Sequence, residues 1–179
     1  MMIPTESRTI VLNDDFYFDK MMKMDKEEIV NVIYEAHATG DTSIVWEPDI
    51  DEIETAVERR FESFSQTGTL YMSNIVKTKK HDEIVGVCIA GVYPDQENYS
   101  TKNFATIHQA SVKPEYRRKG IAKAMIQKSI NDAAAFSSVM TLGVLIGNQA
   151  EKLYKEIGFR PGASYSELCY MVKESSDRL

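Results

Sequence analysis

The chain predicts an α/β (α+β) fold: a mixed, mostly antiparallel twisted sheet with helices on both faces. Three observations carry that expectation. Apolar residues recur with a helical period before Gly68 and with a period of two after it. A strand–helix–strand run from Phe104 to Ile146 requires a crossover, and so a parallel pair inside the sheet. Val139 to Ile146 is apolar at successive positions, as befits a central strand covered on both sides.

The elements follow in order. Arg8 to Leu12 can open a strand, stopped by Asn13-Asp14-Asp15, and the first 24 residues are otherwise the least legible. Asp25 can cap a helix with Glu27 and Glu28 in its first turn, where carboxylates complement the dipole. Ile29, Val30, Ile33, Tyr34 and Ala36 form its apolar stripe, ending near Gly40. Glu47-Pro48-Asp49 opens a second helix, with Ile50, Ile53, Val57, Phe61 and Phe64 on one side. Thr69 to Lys77 and Glu83 to Tyr93 read as strands joined by the polar turn Lys79-Lys80-His81-Asp82. Asn103 to Lys113 is a third strand, Lys119 to about Ala135 a helix, and Val139 to Ile146 the next strand. Ala150 to Ile157 is a short helix stopped by Gly158, and Tyr165 to Val172 closes as a strand.

At 179 residues, 43% hydrophobic and 27% charged, the chain suits one domain over 1–179 with a substantial core. A net charge of -6 argues against non-specific nucleic-acid binding. Cys88 and Cys169 lack metal or disulfide spacing and read as buried thiols in a reducing cytoplasm. No apolar run has the length of a membrane span, and the amino terminus lacks signal-peptide regions. No metal site is suggested, and Gly86 to Gly91 lacks the Lys-Ser/Thr that completes a P-loop.

Against this acidic background one turn is basic. Ser111-Val112-Lys113-Pro114-Glu115-Tyr116-Arg117-Arg118-Lys119-Gly120-Ile121-Ala122 runs from strand to helix start, with Lys123 beside it. Backbone N–H groups and the positive end of the helix dipole converge there, a site for phosphate or pyrophosphate. Gly120 lets the backbone approach a ligand, and Ala122 keeps the next position small.

With those residues placed, the chain resembles the GNAT superfamily of N-acetyltransferases over roughly Thr69 to Val172. Arg117-Arg118-Lys119-Gly120-Ile121-Ala122 fits its [Arg/Gln]-x-x-Gly-x-[Gly/Ala] acetyl-CoA signature. Asn148-Gln149-Ala150-Glu151-Lys152-Leu153-Tyr154, ending in Gly158-Phe159, looks like its Asn-x-x-Ala-x-x-x-Tyr segment. The resemblance implies a GNAT-like sheet with a splayed central parallel strand pair and acetyl-CoA as acyl donor, with no metal. It implies that Arg117 and Arg118 side chains, with amides from Arg118 through Lys119, Gly120, Ile121 and Ala122 to Lys123, hold the pyrophosphate. Ala110, Ser111 and Val112 would bond the pantetheine arm as an added strand, and Asn148 would contact that arm or order its loop. Tyr154 would protonate the departing thiolate, or else merely pack its helix on the sheet.

Many relatives carry a glutamate early in the strand before the signature. Phe104 to Gln109 has none, and His108 is the natural substitute as general base, resembling the strand histidines of arylalkylamine N-acetyltransferases. A histidine bonded to a sheet neighbour is the competing reading. Thr106, on the same face, could orient a water. Glu35 and Glu47 are weaker carboxylate candidates, Trp46 can wall a pocket or pack, and His37 and His81 read as surface or turn residues. The implied activity is transfer of acetyl to a primary amine, most simply of a small molecule, by a monomer or homodimer without nucleic-acid or membrane partners. Acetylation of a protein amino terminus or lysine, or acyl-CoA binding without turnover, are the alternatives.

Overall fold

The computed structural model describes residues 10, 12–38, 49–62, 70–93, 104–165 and 168–174. Its strands are β1 (Phe16–Lys20), β2 (Leu70–Tyr71), β3 (Asn74–Thr78), β4 (Ile84–Tyr93), β5 (Phe104–Val112), β6 (Val139–Leu145), β7 (Arg160–Tyr165) and β8 (Leu168–Glu174). The α-helices are α1 (Lys26–Ala38), α2 (Ile50–Glu62), α3 (Ile121–Ala133) and α4 (Ala150–Ile157). One sheet runs β1-β3-β4-β5-β6-β8-β7, with β2 on β4 beside β3. Every pairing is antiparallel except β5 with β6. Among the described residues, no helix is long and apolar enough to cross a membrane.

The sheet divides the core into two layers. Ile121, Met125 and Ile126 of α3 pack with Val76, Cys88, Ile107, Val112 and Leu142 on one face, joined by Leu153 and Tyr154 of α4. Ile29 and Ile33 of α1 and Ile53 and Val57 of α2 cover Ile75, Val87 and Ile89 on the other. Asp49 starts α2 by accepting a hydrogen bond from the Asp51 amide at 2.8 Å. Gly86 lies under α3, where a Cβ would stand 2.9 Å from Ile121 Cγ2.

Several expectations need correction. The chain turns at Asn13, whose carbonyl accepts from the Phe16 amide at 3.0 Å, and β1 begins only there. Of the expected strand Arg8 to Leu12, residues 8, 9 and 11 lie outside the described residues. The Thr69–Lys77 strand is two pieces, β2 and β3, on the same side of β4. The final segment is a hairpin: β7 carries Pro161, which an edge strand tolerates because its missing donor can face away from the sheet.

Two irregularities shape the centre. In the β4–β5 register Ile89 faces Gln109 while Ala90 faces Ile107, so His108 is an extra, bulged residue. The parallel pairing of β5 and β6 covers Ala105↔Met140, Thr106↔Thr141 and Ile107↔Leu142. Beyond it β5 follows β4 as far as Val112, and β6 follows β8 as far as Leu145. This is the splayed parallel pair.

Candidate active site

The basic turn leaves β5 through a 3-10 turn, Pro114–Tyr116. Glu83 clamps its base, accepting hydrogen bonds from Lys113 Nζ at 2.8 Å and Tyr116 Oη at 3.0 Å. The Lys113 bond first, then that of Tyr116, holds the Glu83 carboxyl below its ordinary range. Arg118 (φ 63°) and Gly120 (φ 80°) are both left-handed. A left-handed residue that is not glycine is a strained conformation, of the kind found at ligand clamps. Gly120 is the N-cap of α3 without a side-chain cap bond, and a Cβ there would meet nothing within 4 Å. The helix's own bonding begins with Ala124 donating to Gly120 at 3.0 Å, which leaves the amides of Ile121, Ala122 and Lys123 directed out of the helix start. Arg118, Lys119 and Lys123 are exposed around them, Lys119 Nζ lying 5.2 Å from the Tyr116 ring centre.

Arg117 behaves differently from its neighbours. Its Nη2 donates to the Ala36 carbonyl at 3.0 Å and its Nε to Val112 at 3.4 Å, tying the end of α1 to the end of β5. The guanidinium expected on a pyrophosphate is thus engaged in fixing the loop. Asn148 is similarly occupied: its Oδ1 accepts from the Ala150 amide at 2.8 Å and opens α4, the loop-ordering alternative. Ala110, Ser111 and Val112 pair with β4 on one side only, so their other edge faces the slot left by the splay.

Tyr154 packs against the α3-side core, edge-on to Phe159 at 6.2 Å between ring centres. Burial pushes its phenol up to about 12, and the Cys88 thiol of β4 adds to the rise. The group is therefore fully protonated at neutral pH. Cys88 is itself buried, its Sγ 3.3 Å from Ser129 Oγ. The side chain of Cys169, on β8, lies outside the described residues.

On the opposite face the bulge turns both His108 and Gln109 into one cavity of about 270 Å³, lined also by Ile33, His37, Ile53, Ile89, Glu52 and Arg60. His108 Nε2 is hydrogen-bonded to Tyr93 Oη. Burial, then the nearby Arg60 charge, push the imidazole down to about 4, although its cavity edge stays open to water, which opposes the full shift. It is neutral at pH 7, and the expected titration near the ordinary histidine value is displaced towards acid. Burial, then the Tyr71 hydroxyl, push Tyr93 up to about 12. Thr106, expected to orient a water, bonds Thr141 across the parallel pair at 2.8 Å.

The remaining candidates are dispersed. His37 is half-buried rather than on the surface, 3.1 Å from Gln109 Nε2, and burial lowers its pKa. His81 is exposed in its turn and Glu35 exposed on α1. Trp46 and Glu47 lie outside the described residues.

A helix start with free amides and a slot between splayed parallel strands thus share the sheet with an open, mostly apolar cavity on its α1–α2 face. The model of the acetyltransferase (GNAT) family matches residues 33–159. This chain belongs to that family. It is a GNAT acetyltransferase, dependent on acetyl-CoA. No curated protein matches the chain. Among solved structures it is similar to the PaiA N-acetyltransferase of Thermoplasma acidophilum in complex with coenzyme A, at 17% identity over 89% of this chain and 98% of that one, TM-score 0.67. It is also similar to Salmonella typhimurium YncA with its cofactor acetyl-CoA, at 17% identity over 92% and 96%, TM-score 0.66. An acetyltransferase from Thermus thermophilus superposes with TM-score 0.67 at 11% identity over 92% and 98%. At such identities the likenesses establish the fold of the acetyltransferase.

Sequence reasoning missed Arg60, Tyr71, Tyr93 and Gln109. The first three come from α2, β2 and β4, so no local motif joins them. Gln109 follows His108 and by a period of two belongs to the other face; only the bulge brings it round.

Proposed function

We propose that this acetyltransferase acetylates a primary amine of a small molecule, by direct attack within a ternary complex with acetyl-CoA. The observation carrying this reading is the cavity beside His108, whose roughly 270 Å³ stands at the small end for ligand pockets. The open cradle over Gly120 and the unpaired edge of β5 fit coenzyme A. In this reading the amides of Ile121, Ala122 and Lys123, with the side chains of Arg118, Lys119 and Lys123, hold the pyrophosphate. Arg117 and Asn148 shape the two loops around it, and the free edge of Ala110, Ser111 and Val112 pairs with the pantetheine arm.

Bound acetyl-CoA supplies the thioester carbonyl that the amine attacks, and its thiol leaves. Backbone N–H groups at the splay of β5 from β6 stabilise the developing oxyanion. Neutral His108, coupled to Tyr93, takes the proton that the amine loses. Tyr154, protonated throughout the neutral range, donates to the departing sulfur. With its pKa near 12 the phenol stabilises the thiolate chiefly through that hydrogen bond. We place the enzyme in the cytoplasm as one domain, in keeping with the buried thiol of Cys88.

The test is acetyl-CoA-dependent thiol release against separate pools of small amines and of peptides, with a no-acceptor control. Release with a small-amine pool supports the reading. Release with peptides alone moves the acceptor to a protein amino terminus or lysine. Silence in every pool, with acetyl-CoA binding intact, points to an acceptor outside the pools or to acyl-CoA binding without turnover.

A further inference from the structure

The acceptor cavity carries one group that amine acetylation does not require. Arg60, on the third turn of α2, is half-buried and lines the cavity among Ile33, Ile53, Ala56, Val57 and Ile89. Its Nη1 donates to Tyr71 Oη at 2.7 Å, and its Cζ lies 4.9 Å from the centre of the Tyr71 ring. Tyr71 in turn lies against His108, 6.5 Å between ring centres. No carboxylate among the described residues pairs with this guanidinium, whereas Lys26, Lys77, Lys113, Lys128 and Lys155 each have an acidic partner. A cation held in partly apolar surroundings without a counter-charge is costly. Tyr93 shares a hydrogen bond with the same guanidinium, and a planar guanidinium held by hydroxyls still has N–H donors that suit a carboxylate.

We propose that the acceptor is an anionic amine of amino-acid size, whose carboxylate binds Arg60 while its amino group faces His108 and Tyr93. The inference rests on the acetyltransferase reading above and names the substrate class of the same site. The cavity volume of about 270 Å³ matches such a molecule better than an aminoglycoside. The fixed positive charge beside the base disfavours polyamines, whose second ammonium would meet Arg60. Glu52 also lines the cavity, but it is exposed and stands eight residues before Arg60, about 12 Å along the helix axis by the rise per residue. It can attract an ammonium at the mouth without neutralising Arg60. Arg60 also depresses the basicity of His108. An acceptor carboxylate on Arg60 offsets that part of the depression, while the larger part, due to burial, remains.

The experiment compares acceptors with and without the carboxylate: phenylalanine with phenethylamine, and 4-aminobutyrate with butylamine, putrescine serving as the diamine control. Each is assayed with wild type, R60M and R60K. In parallel, calorimetry measures binding of N-acetylphenylalanine and N-acetylphenethylamine, which needs no turnover. The expected result is a wild-type kcat/KM roughly 10- to 100-fold higher for the acid of a pair, the range of one charged hydrogen-bonded contact. R60M abolishes the preference, chiefly through KM for the acid, and R60K restores part of it. Turnover with no preference for acids, or with polyamines preferred, overturns the inference and leaves the transferase reading standing. Equal loss for acid and amine in R60M also overturns it, since Arg60 then serves only to position Tyr71. No turnover together with Arg60-dependent binding of N-acetylphenylalanine keeps the anion site and removes the transferase reading. No turnover and no such binding removes both.

Discussion

Replacing Gly120 with alanine separates the loop's folding role from its binding role. Gly120 has φ 80° and ψ 0°, and a Cβ built on it meets no atom within 4 Å. The protein itself therefore opposes the substitution only through the cost of a left-handed L-residue, about 1–2 kcal/mol. Against a typical domain stability of about 5–15 kcal/mol the variant stays folded. For a chain of this length the corresponding drop in Tm is about 2–8 °C. In the proposed binding mode, coenzyme A passes through the space the new methyl occupies to reach the amides of Ile121, Ala122 and Lys123. Loss of one charge-assisted hydrogen bond, about 1.5–3 kcal/mol, raises its Kd roughly 10- to 100-fold. Titration calorimetry with coenzyme A and a thermal melt on the same preparation read both numbers. A Tm lowered as expected with Kd moved by less than about threefold, under 1 kcal/mol, refutes the assignment of this loop to the pyrophosphate. Gly120→Val, with a branched Cβ, enlarges both effects.

Further outcomes follow from the site. Tyr154→Phe lowers kcat more than about tenfold, within the range for a positioned proton donor, and leaves the Kd of acetyl-CoA unchanged; an unchanged kcat in single-turnover assays removes Tyr154 from the chemistry. His108 works only as the neutral imidazole, and its pKa is lowered to about 4. Once kcat/KM is corrected for the fraction of acceptor present as free amine, the His108 limb therefore lies below 6.5, the ordinary histidine value, towards 4. His108→Gln removes that limb from the pH profile, and persistence of the limb places the base elsewhere. Gly86→Ala forces a Cβ to within 2.9 Å of Ile121 Cγ2 and 3.0 Å of Met125 Sδ. It costs about 1–3 kcal/mol in urea unfolding by overpacking; a neutral result means that α3 sits less tightly on β4.

Local signals were legible wherever one element carries its own instructions. Helix α4 begins and ends at the residues its pattern indicates, since Asn148 Oδ1 accepts from the Ala150 amide at one end and Gly158, left-handed at φ 105°, ends the other. The geometry of the basic turn could be read because it belongs to consecutive residues, a left-handed glycine and the first amides of α3. The strands β1 and β7 were missed because each lies at an edge of the sheet and lacks the apolar alternation of a covered strand. In β7 Pro161 and Gly162 read as punctuation, and only pairing with β8 makes the segment a strand.

The sequence by itself determined the order of the central elements, the crossover that makes β5 and β6 parallel, and the start of α3 beside Gly120, because each depends on neighbours within a turn or two of chain. Tertiary structure decided what the side chains do. It turned Arg117 onto the Ala36 carbonyl, and it brought Arg60, Tyr71, Tyr93 and His108 together from four separate elements. The bulge at His108 added Gln109 to the same face. A pKa or a specificity pocket is set by burial and by charges within a few ångströms in space, and no spacing along the chain records those distances.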